Sequence, residues 1–113
     1  ADFGAGNLAY VAKARLFPRQ DDQYIARLAG VAVYGSPLNE TNWHDSQAQV
    51  SYSTMPSPVR GRWYELECNP STPYRGFFLQ HPYGNWWCGN VAEVEFYGWT
   101  ARDLHNPFML IIR

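Results

Sequence analysis

Apolar and polar residues alternate with period two in three stretches of this chain. In Tyr10–Phe17, Ala12, Ala14 and Leu16 fall on one side and Lys13 and Arg15 on the other. In Arg62–Cys68, Tyr64, Leu66 and Cys68 alternate with Trp63, Glu65 and Glu67. In Val91–Tyr97, Ala92, Val94 and Phe96 alternate with Val91, Glu93, Glu95 and Tyr97, and Gly98 ends the run. This periodicity, carried by β-branched and aromatic residues, predicts strands with one dry face. Val31–Tyr34, Ala48–Ser53 and Tyr74–His81 read as further strands, while Tyr24–Gly30 reads as a short helical turn or an irregular strand entry. Tyr74–His81 joins Val91–Tyr97 through Pro82-Tyr-Gly-Asn85 and a tryptophan pair, which predicts a hairpin with a ligand-facing tip.

Turn-forming residues separate these runs. Pro18–Gln23, Gly35–Pro37, Thr54–Gly61 and Asn69–Pro73 are rich in Pro, Gly, Ser, Asp or Asn, and Leu38–Gln47 is a polar loop carrying Trp43. No convincing amphipathic helix intervenes. The pattern predicts an all-β, antiparallel β-sandwich or barrel. With 113 residues the chain has room for one core. Ala1–Asn7 reads as the end of a strand followed by a turn, so the chain is expected to start inside an element.

Composition narrows the function. A formal net charge of -1 gives no reason to expect nucleic acid or an anionic membrane as partner. Aromatic residues reach 17%, with five Trp and eight Tyr, enough to furnish both core and contact surface. The terminal apolar run Phe108–Ile112 is strand-sized, not membrane-spanning. Cys68 and Cys88 either form one disulfide between neighbouring strands or remain two buried thiols. Asn39-Glu-Thr41 fits a glycosylation sequon. No phosphate loop, Cys/His metal spacing or nucleophile elbow is present, so catalysis is not expected.

Four landmarks together resemble the discoidin, or coagulation-factor type C, family. They are Asp2-Phe-Gly4; Lys13–Arg19 leading to Arg27-Leu28; Val33-Tyr-Gly-Ser36 with Trp43 downstream; and Tyr74-Arg75 through Asn90–Gly98. The likeness extends to the family 32 carbohydrate-binding modules and the fucolectins. It implies a jelly-roll, galactose-binding-domain-like β-sandwich over residues 1–98, with 99–113 as a C-terminal extension or linker, an added strand, or the start of a neighbour. It also implies an extracellular or cell-surface location, and a segment preceding Ala1 that contributes to a calcium and to one side of the ligand site.

The resemblance and the residues suggest three sites. Arg19, Asp21, Asp22 and Arg27 are similar to the fucolectin motif of two basic residues and an Asp around a sugar. Guanidinium forks donate to ring and hydroxyl oxygens while an Asp orients one of them. The alternative is an internal pair between Arg27 and an Asp that fixes the loop. Tyr83, Asn85, Trp86 and Trp87 combine rings that stack on a sugar's C–H face with an amide that binds hydroxyls; the alternative is core or edge packing. Glu93 resembles the family's calcium-holding acidic residue, but calcium takes six to eight oxygens, and the alternative is a solvated carboxylate. Glu65/Glu67 and Glu93/Glu95 read as ordinary outward carboxylates and Trp43 reads as core; His44 and His81 could join either sugar site, the alternative being plain surface. The expectation is a non-catalytic, lectin-like module for a galactose- or fucose-type glycan, possessing at most a structural Ca2+. The rival is a structural or protein-binding domain of a larger assembly.

Overall fold

The computed structural model describes residues 7–20, 25–36, 48–81 and 91–100, and the backbone of 110–112. Among the described residues lie seven strands and one 3-10 helix: β1 (Ala9–Pro18), the helix (Ile25–Leu28), β2 (Ala32–Ser36), β3 (Ala48–Gln49), β4 (Tyr64–Glu67), β5 (Gly76–Gln80), β6 (Val91–Thr100) and β7 (Leu110–Ile112). They build two sheets, of order β4-β1-β6-β7 and β3-β2-β5, with every neighbouring pair antiparallel. The expected antiparallel β-sandwich is therefore the fold.

The dry faces meet in one core. Ala14, Leu16, Leu66, Cys68 and Phe96 come from the four-stranded sheet, and Val33 and Phe77 from the other. Phe77 and Phe96 close the gap between sheets with ring centroids 6.3 Å apart, and Tyr74 meets Phe77 edge-on at 5.8 Å. Burying a ring such as that of Phe77 is worth about 1.5–3 kcal/mol. Ser51 is one of the buried polar residues. Its hydroxyl accepts from Val33 N–H at 3.1 Å and donates to the Ser53 carbonyl at 2.8 Å, so burial leaves neither partner unsatisfied.

The structure corrects the sequence reading in several places. β5 and β6 do not form a hairpin: β5 pairs with β2 and β6 with β1. Their apolar faces look at one another across the core, as the Phe77–Phe96 contact requires, and strands paired side by side in one sheet would lose that contact. A register shift between Val11 and Lys13 makes Ala12 a bulge, so Ala9 and Val11 are buried and Ala12 leaves the core face. A second shift opposite Phe17 and Pro18 exposes Ala92 and lets Val91 pack against the core.

Gly98 does not end its strand, which runs on through Trp99 to Thr100. A Cβ on Gly98 would collide with the Tyr10 carbonyl of β1. Only glycine admits the bulged backbone so closely there. Beyond β6 the chain returns as β7, pairing Phe96 with Ile112 and Gly98 with Leu110. Cys68 is a free, buried thiol, and burial, then the nearby Glu67 charge, push its pKa up to about 12. Cys88, Trp43, His44 and the sequon lie outside the described residues.

Candidate functional site

Strand pairing decides which connections share an end of the sandwich. Pro18 pairs with Val91, Leu16 with Tyr64, and Ala32 with Gln80. The chain leaving β1, entering β2, entering β4, leaving β5 and entering β6 is thus gathered at one rim. The bridge between Ala9 and Tyr74 marks the opposite end. Two hydrogen bonds knit the rim together: Gly30 N–H to the Met55 carbonyl at 2.8 Å, and Arg60 Nε to the Gln20 carbonyl at 3.0 Å. The described flanks of the two candidate segments, Arg19 and Arg27 of one and His81 and Val91 of the other, therefore share this rim.

Of the expected site residues, Arg19 follows β1 directly and is exposed, and Arg27 is exposed on the 3-10 helix. Asp21, Asp22, Tyr83, Asn85, Trp86 and Trp87 lie outside the described residues. Glu93 is exposed near the start of β6, opposite Phe17. Among the described residues no three His, Cys, Asp or Glu side chains converge. Glu93 there is a single carboxylate, and calcium takes six to eight oxygens, backbone carbonyls among them. His81 is a partly buried structural residue rather than a surface one. Its Nε2 lies 3.1 Å from the Ala29 carbonyl, beneath the turn where Gly30 has φ +87° and a Cβ would meet that ring at 2.8 Å.

Two rim arginines escaped the sequence reading. Arg60 and Arg62 flank Gly61, whose φ of +79° turns the chain toward β4. Arg60 reaches Gln20, whose own side-chain amide donates to the Pro18 carbonyl at 2.7 Å. The Arg62 guanidinium lies over the Tyr64 ring, 5.9 Å from its centroid, and the Tyr64 hydroxyl accepts from Val59 N–H at 2.6 Å. Arg19, Arg60 and Arg62 are all exposed. The signal available in the sequence was an Arg-Gly-Arg turn inside the acid-free run Ser46–Tyr64.

The outer face of the four-stranded sheet carries similar residue types to a different end. Arg15 Nη1 lies 3.2 Å from Glu95 Oε1, and the Tyr97 hydroxyl donates to the same oxygen at 2.8 Å. Lys13 Nζ and Arg15 Nε lie 3.7 and 3.5 Å from Glu65 Oε1, the latter at ion-pair range without hydrogen-bond geometry. Arg15 also covers the Trp63 ring at 4.4 Å, and Lys13 the Tyr97 ring at 4.8 Å. The hydrogen bond to Tyr97 leads the influences that raise the Arg15 pKa, with Glu95 and Glu65 adding to it against partial desolvation. Glu95 is only 5% exposed, which corrects the expectation of a solvated carboxylate. Glu65 remains exposed as expected.

No family model and no curated protein matches the chain. Among solved structures, the CBM62 of Clostridium thermocellum Xyl5A is similar, with a TM-score of 0.67 and 24% identity over 88% of this chain. The chain spans 66% of that structure's length. The two share the β-sandwich fold, which in that protein belongs to a carbohydrate-binding module.

Proposed function

We propose that the chain is a non-catalytic carbohydrate-binding module, lectin-like in action, which recognises a galactose- or fucose-type glycan at this rim. The observation that supports the reading is convergence: strand pairing brings the described ends of both candidate segments to one end of the sandwich. In this reading Arg19 and Arg27 donate to ring and hydroxyl oxygens, and Asp21 or Asp22 orients a guanidinium and accepts from a hydroxyl. One of Trp86 and Trp87 stacks on the sugar's C–H face, beside Tyr83, and Asn85 binds a hydroxyl. Sharing a fold with a carbohydrate-binding module supports the reading without fixing the ligand.

A glycan-array screen of the chain tests it, run with and without a calcium chelator and beside Arg19→Ala and Trp86→Ala variants. Binding to galactose- or fucose-terminated glycans that both variants lose is the expected result. Loss on chelation would add a metal to the site. Silence across the array from a folded protein overturns the reading and favours a protein-binding domain.

A further inference from the structure

At the rim a side chain joins the end of β5 to the turn that follows the 3-10 helix. The backbone ladder between β2 and β5 reaches Ala32 and Gln80. Beyond that pair His81 continues the tie, its Nε2 lying 3.1 Å from the Ala29 carbonyl. A carbonyl has no proton to give, so Nε2 carries the hydrogen and donates it. Gly30 provides the space for the ring. Its φ is +87°, and a Cβ there would stand 2.8 Å from the same Nε2. Any other residue would both strain the turn and press on the imidazole.

The two ends of this hydrogen bond belong to the two candidate segments. Ala29 lies just past Arg27, which the helix leaves exposed while Leu28 is fully buried beside it. His81 leads directly into the 82–90 segment, which carries Tyr83, Asn85, Trp86 and Trp87. Backbone bonds hold the same turn to Met55, from Gly30 N–H to its carbonyl and from its own N–H to the Val31 carbonyl at 2.7 Å. The imidazole adds a tie to β5. A saccharide held between a guanidinium and a stacked ring needs the two at a fixed spacing, which supporting hydrogen bonds supply.

We infer that His81 is a positioning residue of the saccharide site, holding Arg27 in place relative to the segment that begins at Pro82. The inference rests on the carbohydrate reading above and deepens it. His81 acts through the Ala29 carbonyl and need not touch the ligand.

The test is calorimetric titration of the full chain with a galactose trimer and with a fucose-terminated trisaccharide. His81→Gln, His81→Asn, Arg27→Ala and the double variant His81→Asn/Arg27→Ala are titrated alongside. A Gln amide nitrogen reaches the place of Nε2, whereas that of Asn stops at the place of Nδ1. His81→Asn should therefore weaken binding roughly fivefold, in the range of couplings within one hydrogen-bond network, and His81→Gln should restore most of it. In the Arg27→Ala background the further loss from His81→Asn should shrink to less than about twofold. NMR of the imidazole nitrogens should show His81 as the Nε2–H tautomer in the unliganded chain. Equal affinities for the Gln and Asn variants, full additivity in the double variant, or an Nδ1–H tautomer overturns the inference while leaving a carbohydrate-binding rim. Unchanged binding by Arg27→Ala does the same. Failure of both saccharides to bind the unaltered chain, with the array silent as well, overturns the inference and the carbohydrate reading together.

Discussion

The outer sheet face and the rim use the same alphabet of arginine, carboxylate and aromatic ring to opposite ends. On the sheet face, register puts Arg15 between Glu65 on one neighbour strand and Glu95 on the other. Each charge there finds its complement, and Tyr97 and Trp63 fill the space between. On the rim, Arg60 donates to a backbone carbonyl and Arg62 lies over a ring, and both stay exposed to solvent. An Arg or a Trp therefore says little by its presence. What its nearest partner does with its charge or face separates a structural residue from a binding one.

The comparison can be broken from the sheet side first. Gly98→Ala should have the largest effect, because its Cβ would strike the Tyr10 carbonyl and force β1 from β6, undoing the register that pairs Arg15 with Glu95. A loss of about 3 kcal/mol in urea unfolding is expected. Glu95→Ala comes next. It removes the common acceptor of Arg15 and Tyr97, and should cost about 2 kcal/mol, short of a fully buried pair since Arg15 is partly exposed. Saccharide binding by that variant should be unchanged. If binding falls with the fold intact, the sheet face is part of the site and the contrast fails.

Cys68 gives a smaller, pH-dependent effect. Its folded pKa of about 12 exceeds its reference value of 9.0, so the folded state holds the proton more tightly across that window. The thiol's contribution is fully present below pH 9, and stability should decline as pH rises from there toward 12. At pH 8 a thiol reagent should label Cys68 only after denaturant is added; fast labelling of Cys68 in the folded chain, located by peptide mapping, would contradict its burial. Arg60→Gln should have the smallest effect on stability, below about 0.5 kcal/mol, because the residue is exposed on a turn. A large loss there would make Arg60 a structural residue and erase the distinction between the two regions.

The sandwich was legible because a half-buried strand writes its burial into the sequence at period two. Leu66 and Cys68 inward against Glu65 and Glu67 outward follow that rule without exception. The rule failed where a bulge changes phase. Ala12 and Ala92 are small and apolar, so they fit the alternation equally well as core residues or as the extra residue of a bulge. Gly98 read as a terminator because its function, admitting the Tyr10 carbonyl, depends on a strand far earlier in the chain. The β5–β6 hairpin was misread for the same reason, since sequence neighbourhood cannot report pairing with β2 and β1. At the rim, Arg19 and Arg27 could be singled out in the sequence as candidates, and the structure leaves both exposed. Arg60 and Arg62 passed as ordinary turn residues until Gln20 and Tyr64 gave them direction.

The central claim is that ligand recognition belongs to the rim and that the sheet face is self-satisfied. The most direct test is backbone NMR of the labelled chain titrated with galactose-terminated and fucose-terminated oligosaccharides. The account predicts shift changes confined to Arg19, Gln20, Arg27, Gly61, Arg62 and the neighbourhood of His81 and Val91. Lys13, Glu65 and Tyr97 should stay still. Changes centred on that sheet face, or none with any oligosaccharide, would contradict it.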